Sequence, residues 1–295
     1  MHDVIVVGGS YAGLSAALML ARARRDVLII DGGKRRNRFA GHSHGFLTQD
    51  GALASDIAAQ GRAQVEKYPT VSWLEADTSD GAAIDGGFVL TAGGERHEAR
   101  RLLLAVGVTD ELPAIPGLAE RWGKSVFHCP YCDGYELNQG QIGVLASSAM
   151  SMHHALMLPD WGKTTFFLNG SFLPDADQLA QLAARGVTVE ATPVVRIEGE
   201  RAGVVLADGR RIDVGGLFTA TRIRPSSPIA DQLGCAMEDG PTGPYVRTDA
   251  MKQTSVPGIF ACGDIAKPFG SVAQAVGDGN FAGASVHRTL MFGLG

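Results

Sequence analysis

Aromatic residues are scarce, at 7% of the 295 residues, and no long basic run offsets a net charge of −5. The chain therefore offers neither a phosphate-backbone footprint nor a base-stacking surface, and nucleic acid is not an expected partner. Long apolar runs are lacking as well. Stretches such as Val4–Val7 and Leu14–Ala21 fall far short of the about 20 residues that span a bilayer, and the N-terminus carries no basic-then-apolar leader pattern. No membrane association is expected, and the cytoplasm is the expected location. Four cysteines are too few for a secreted disulfide framework in a chain of this length. Cys235 and Cys262 read as buried packing residues. Cys129 and Cys132 stand at CxxC spacing, which in a reducing compartment signals redox or metal chemistry.

Against these absences, 45% of the residues are hydrophobic, enough for one or two sizeable cores, and two domains are the natural expectation. Val4–Val7 is a short β-branched run followed by a glycine-rich turn, an Ala/Leu-rich helical stretch from Tyr11 to about Arg24, and a second apolar run at Asp26–Ile30. Strand, turn, helix and strand make a βαβ unit, which favours a doubly wound parallel sheet. A second unit begins near Gln141–Leu145, passes through a helix at Met150–Leu158 and reaches a strand at Thr164–Leu168. Clusters of structure-ending residues at Leu112–Gly117 and Asp239–Pro244 read as linkers. The expected fold is α/β with two Rossmann-like domains: a discontinuous one of residues 1–113 and 243–295, and an inserted one of residues 117–240.

The turn Gly8-Gly9-Ser10-Tyr11-Ala12-Gly13 follows a strand and opens a helix, where backbone N–H groups and the helix's positive end receive a dinucleotide pyrophosphate. Ser10 stands where the motif has its middle glycine, and its small side chain still lets the backbone approach a phosphate, less freely than glycine does. Asp31 closes the second strand, at the distance where an acid hydrogen-bonds a ribose hydroxyl. In the basic run that follows, Arg36 and Asn37 are candidates for phosphate or cofactor contact, the alternative being a solvated basic loop.

The segment His128-Cys129-Pro130-Tyr131-Cys132-Asp133-Gly134 places two thiols where they can close a small reversible disulfide. A helix starting at Pro130, which is tolerated in a first turn, would stabilise a Cys129 thiolate and favours Cys129 as the attacking thiol. Asp133 can give or take the proton of thiol–disulfide exchange if partial burial raises its pKa, although Asp before Gly is also an ordinary turn pair. A zinc site needs two further ligands, and no second CxxC or closely spaced His pair appears at a familiar distance, so no metal is expected.

With these motifs in place, the chain resembles the low-molecular-weight thioredoxin reductase family of FAD-dependent pyridine-nucleotide-disulfide oxidoreductases over essentially its whole length. Four anchors carry the resemblance: the N-terminal turn, the Leu103–Gly107 strand end, the CxxC-Asp-Gly motif, and Gly258–Asp264 followed by Ala273-Gln274-Ala275. It implies that residues 1–113 and 243–295 bind FAD, with Gly8, Ser10, Tyr11, Ala12, Gly13, Asp31, Arg36, Asn37 and Gly107 among the cofactor residues. Gly263 would be a further cofactor residue, Asp264 would hold the ribityl chain, and Gln274 and Ala275 would lie near the isoalloxazine. It also implies that Cys132 faces the flavin, that Cys129 exchanges with substrate, that Asp133 is the acid/base and that the protein is a homodimer. The segment His44–Gly51 is similar to a branch containing dithiol oxidases of the gliotoxin and holomycin type, which makes His44 a candidate base, the alternative being a histidine hydrogen-bonded in its loop for structural reasons. Asp133, by contrast, is the reductase-like residue after the second cysteine.

The family's NADPH signals fail in the second unit. Its glycine positions read Ala146, Ser148 and Ser151, and the place of its paired arginines reads Phe167–Leu173. NADPH use is therefore doubtful. The expected function is a thiol–disulfide oxidoreductase passing electrons between Cys129/Cys132 and FAD. It would act either as a dithiol oxidase using dioxygen, or as a reductase fed by ferredoxin or another carrier, as in ferredoxin-dependent flavin thioredoxin reductases. The substrate would be a thioredoxin-like protein or a small dithiol or disulfide. An ordinary NADPH-dependent thioredoxin reductase and a flavin-bearing redox sensor are the alternatives.

Overall fold

The computed structural model describes residues 1–293, so the last two positions of the expected 243–295 segment lie outside the described residues. The chain divides into two compact units, one of residues 1–38, 53–109 and 223 onward, the other of residues 39–52 and 110–222. The first unit opens with β1 (His2–Val7), α1 (Tyr11–Arg22) and β2 (Val27–Asp31). It continues through α2 (Ala54–Val65), β3 (Val71–Glu75), β4 (Thr78–Ile84), β5 (Gly87–Ala92) and β6 (Glu95–Leu104) into β7 (Val108–Glu111). The second unit holds β8 (Val126–Phe127), α3 (Pro130–Asp133), β9 (Gln139–Leu145), α4 (Ser151–Met157), β10 (Gly162–Phe167), α5 (Ala176–Ala184) and β11 (Thr188–Glu190). It is completed by β12 (Val194–Glu198), β13 (Ala202–Leu206), β14 (Arg211–Val214) and β15 (Gly216–Thr219). The chain returns through β16 (Arg222–Pro225), and the first unit closes with β17 (Ile259–Ala261) and α6 (Val272–Phe292).

In the first unit, β3, β2, β1, β6 and β17 run parallel, and the β4–β5 hairpin joins the N-terminal half of β6 antiparallel. Strand alternation explains why this sheet is buried on both faces. Ile5, Val7, Leu28, Ile30, Leu102 and Leu104 enter one core, whereas Val4, Val6, Val27, Ile29 and Leu103 enter the other. The second core is closed by Ala16, Ala17 and Leu20 of α1 and by Ala282, Val286 and Leu290 of α6. Full burial of each large aliphatic side chain is worth about 1.5–3 kcal/mol, and this sheet sets where the turns at its strand ends point.

The second unit repeats the plan with a parallel sheet in the order β8-β15-β9-β10-β11 and a three-stranded antiparallel sheet, β12-β13-β14. Ile142, Val144, Phe166 and Phe218 pack beneath Met152 and Ala155 of α4, while Leu145, Phe167 and Leu217 pack with Ile197, Val204 and Leu206. Among the described residues, no helix is long and apolar enough to cross a membrane.

The unit boundaries fall elsewhere than the turn-forming residues suggest. Leu112 and Ile115 pack on the core of the second unit and Pro116 O accepts the Ile197 amide at 2.8 Å, so Leu112–Gly117 lies inside that unit. Asp239–Pro244 is the tip of an antiparallel hairpin, Met237–Gly240 with Gly243–Val246, inside the first unit. Glycine and proline mark a turn in both places, and a turn need not be a link between domains. Residues 39–52, expected with the first domain, belong to the second unit, where Phe39 lies against Gly123.

Candidate functional site

In the first unit the strand-to-helix turn is held tight by backbone crossings that leave no room for side chains. Gly8 has φ +102°, and a Cβ there would meet Ala105 O at 2.3 Å; a Cβ on Gly13 would stand 1.8 Å from Gly8 O. Ser10 is the extended N-cap of α1, and among the described residues its hydroxyl makes no capping bond, so the hydroxyl leaves the first-turn amides to a ligand. Asp31, at the end of β2, accepts the Gly9 amide through Oδ1 at 3.0 Å, which fixes the carboxylate beside the turn. Tyr11, on the first turn of α1, donates its hydroxyl to Ala54 O at 3.0 Å and accepts from Asn37 Nδ2 at 3.0 Å. Asn37 Oδ1 and Arg35 Nε are buried with no hydrogen-bond partner. A buried polar atom left unpaired costs about 1–3 kcal/mol, so these two atoms fit a polar ligand.

Arg36 and Asp264, both singled out from sequence, meet across 228 positions: the guanidinium donates to Asp264 Oδ2 at 2.9 Å, with each side chain about one-fifth exposed. Asp264 lies in the turn Gly263–Ala266 just after β17. The residue that sets this turn escaped the sequence reading. Asp278, on α6 and almost wholly buried, accepts the Gly263 amide at 2.8 Å and pairs with Lys252 at 2.6 Å and Lys267 at 3.0 Å. Burial alone would raise its pKa, but the lysine and amide donors outweigh that and hold the carboxyl below its ordinary value. The legible signal was an aspartate in the middle of an apolar helix, where an unpaired charge is not tolerated. Gln274 is exposed and Ala275 half-buried on the first turn of α6, whose N-cap Ser271 accepts the Gln274 amide at 3.2 Å. Gly107 follows β6 with φ +65°, and its carbonyl accepts the Ser226 amide.

In the second unit Cys129 and Cys132 form a disulfide, with Cα atoms 5.3 Å apart. Pro130 opens α3 at its first position, as expected, and Cys129 is its extended N-cap. The helix is only four residues long, so its dipole is that of a single turn and weaker than the sequence reading allowed. Asp133 ends this helix with its pKa pushed up to about 7, by burial first and by the nearby Glu136 carboxylate second, with His44 opposing. His44 Nε2 lies 3.5 Å from Glu136 Oε1, and its Nδ1 lies 3.7 Å from Asp50 Oδ1. Cys129, Cys132, Asp133 and His44 thus belong to one unit, and Glu136 is a member of the group that sequence reasoning missed. On α4, burial, with help from His153 and His128, lowers the partly buried His154 to about 4, against a hydrogen bond to the His128 backbone. Cys235 and Cys262 are buried free thiols, and burial pushes both up.

The second strand-to-helix turn, after β9, is closed by its own side chains. The Ser147 amide donates to Ser151 Oγ at 3.0 Å, and the Met150 amide to Ser148 Oγ at 3.3 Å. Ser147 Oγ donates to Ala220 O at 2.7 Å and Ser171 Oγ to Ala146 O at 2.8 Å, and Ser151 is fully buried. Beyond β10, Leu168 is buried, the Phe172 ring packs 5.9 Å from that of Phe166, and Asn169 Oδ1 accepts the Val194 amide at 2.9 Å.

A family model described as pyridine nucleotide-disulphide oxidoreductase matches residues 2–279. The chain is 31% identical over 310 residues to the thioredoxin reductase tcpT of Claviceps purpurea, covering 99% of this chain and 95% of that protein. Among solved structures it is similar to an oxidoreductase from Agrobacterium tumefaciens, at 60% identity and a TM-score of 0.96 over 99% of each chain. It is also similar to HlmI, at 36% identity and a TM-score of 0.92 over 99% of this chain and 93% of that one.

Proposed function

The chain belongs to the pyridine nucleotide-disulphide oxidoreductase family, whose members bind flavin, and from that premise we propose an FAD-linked dithiol oxidase that does not depend on NADPH. The turn Gly8–Gly13 would hold the pyrophosphate, Asp31 a ribose hydroxyl and Asp264 the ribityl chain, with Arg36 and Asn37 as further polar contacts. Bound there, the flavin supplies a two-electron acceptor. The protein's own chemistry is exchange at sulfur. One substrate thiol attacks Cys129, forming a mixed disulfide and releasing Cys132 as thiolate; the second substrate thiol then displaces Cys129 and closes the product disulfide. Two electrons now reside on the cysteine pair, and Asp133, near half-ionised at neutral pH, can take one of the two thiol protons. Overall, one dithiol gives one disulfide, and dioxygen takes two electrons and two protons to give hydrogen peroxide.

The observation that carries the NADPH part of this reading is the turn after β9, whose amides are already bonded to Ser148 and Ser151. A dinucleotide would have to displace those bonds. It would also do so without the arginines that normally hold a ribose phosphate, each such charged contact being worth about 1.5–3 kcal/mol. A reductase fed by ferredoxin is the second reading, favoured by the same Asp133, which near neutrality is as good a proton donor as an acceptor. Oxygen uptake with dithiothreitol decides between them. Catalytic uptake, with one peroxide per dithiol and none in Cys129→Ser or Cys132→Ser, is the expected result. No uptake, together with thioredoxin reduction by reduced ferredoxin, would replace the first reading by the second.

A further inference from the structure

Asp278 is a buried charge that the exchange chemistry at sulfur does not use. It stands on α6 between Gly277 and Gly279 with its side chain 3% exposed, and a carboxylate so placed is tolerated only when its oxygens are bonded. Those oxygens are shared among three partners. Oδ2 accepts the Gly263 amide at 2.8 Å, while Oδ1 takes Lys252 Nζ at 2.6 Å and Lys267 Nζ at 3.0 Å.

Each of the three bonds ends on a different piece of the backbone around Asp264. Gly263 is the residue before it, with φ +75°. Lys252 holds the end of β17: from a left-handed conformation, φ +67°, its carbonyl accepts the Ala261 amide at 3.0 Å. Lys267 follows the turn Gly263–Ala266 and leads to Gly270, where a Cβ would collide with Asp264 Oδ1. The helix that delivers the carboxylate is itself pinned to α1 on either side of Asp278. Ser15 Oγ donates to Val276 O at 2.7 Å, and a Cβ on Gly279 would collide with Ala12 O. Asp264, with Arg36 on its Oδ2, is thus framed before and after by segments that one carboxylate ties to a fixed helix.

We propose that Asp278 is the positioning residue of the flavin site: it holds the strand end, the turn and the segment beyond it in one arrangement, and so presents the Asp264 carboxylate already oriented for a ligand hydroxyl. Asp278 meets no ligand and acts through Asp264. A group ordered before the ligand arrives binds more tightly, because the ordering cost does not fall on association. Without the Asp278 carboxylate, the Gly263 amide loses its acceptor and the two lysines lose their common partner, so the turn and the segment up to Gly270 are free to separate.

The inference rests on the reading of Asp264 as a flavin contact, and a double-mutant cycle separates the two. Dissociation of FAD from the loaded protein is measured by equilibrium dialysis for the wild type, Asp264→Ala, Asp278→Ala and the double variant. Asp278→Ala is expected to weaken FAD about 10-fold, and the double variant to bind no more than about twofold more weakly than Asp264→Ala alone, because residues acting through one another are not additive. A residue that merely supports the fold would weaken FAD by the same factor in both backgrounds. Wild-type affinity in folded Asp278→Ala, or losses that multiply in the double variant, overturns the proposal. Because removing one partner of a buried ion pair is strongly destabilising, Lys267→Ala is taken through the same cycle should Asp278→Ala fail to fold. A loss of about threefold that vanishes in the Asp264→Ala background supports the proposal, and an unchanged affinity or a loss that persists there overturns it. Wild-type affinity in Asp264→Ala would remove the flavin-contact reading, and this inference with it.

Discussion

Two turns in this chain follow a parallel strand and open a helix, one at Gly8–Gly13 after β1 and one at Ala146–Met150 after β9. In the first, the backbone crosses itself closely, the N-cap hydroxyl bonds no amide, and an aspartate at the end of the next strand is oriented by the turn. In the second, serines occupy the positions of the missing glycines and bond the turn's own amides, and an apolar turn packs where the second strand would present cations. Both turns sit on well-packed parallel sheets. What differs is whether the turn satisfies its own hydrogen bonds or leaves them to a ligand. A nucleotide fold whose turn bonds its own amides would keep its stability without a nucleotide, because those bonds are made locally while the apolar strands beneath are untouched.

The largest expected effect lies at the cysteine pair of the second unit. Cys132→Ser should abolish electron transfer between dithiothreitol and the flavin while FAD content, read from visible absorbance, stays at the wild-type level; retained flavin reduction contradicts the role given to Cys132. Next comes Asp133. Because its native pKa of about 7 lies above the ordinary 3.8, the folded protein holds that proton more tightly than the unfolded chain, and stability falls as pH rises from about 4 to 7. Asp133→Asn should therefore gain on the wild type across that window, by at most about 1.4 kcal/mol per pH unit and less where water reaches the group. Its exchange rate should lose the limb near pH 7. Parallel denaturation curves at pH 4 and 8 check the first expectation.

The open turn is probed by Asp264→Ala, which removes the Arg36 partner and a candidate ribityl contact and should weaken FAD by about 10- to 100-fold, the value of one charged hydrogen bond. Equilibrium dialysis measures it. The smallest effects test the contrast itself. Ser151→Ala removes the fully buried hydroxyl that accepts the Ser147 amide and should cost about 0.5–1.5 kcal/mol of stability, whereas Ser10→Ala in the FAD-free protein should change stability by less than about 0.5 kcal/mol, since that hydroxyl caps nothing. Equal costs at the two serines would remove the distinction between a closed and an open turn.

Much of this was legible in the sequence because it is local. The βαβ order, Pro130 at the first position of α3 and Asp31 at the end of β2 follow from short-range patterns that physics rewards within a few residues. The substitution of glycines by Ser148 and Ser151 was readable as a loss; that these serines close the turn became visible only with their partners in place. The rest depends on contacts between distant segments. The Arg36–Asp264 pair spans 228 positions, Asp278 acts on a glycine 15 positions before it, and Glu136 meets His44 from across the second unit. Asp239–Pro244 misled because glycine and proline announce a turn without saying what the turn connects.

The central claim, that this flavoprotein takes its electrons through Cys129 and Cys132 and not from a nicotinamide, is tested most directly by anaerobic titration of the FAD-loaded protein with NADPH, then NADH, then dithiothreitol. The expected result is a flavin spectrum that either nicotinamide leaves oxidised and dithiothreitol bleaches. Rapid stoichiometric bleaching by NADPH would contradict the account and restore an ordinary nucleotide-dependent reductase.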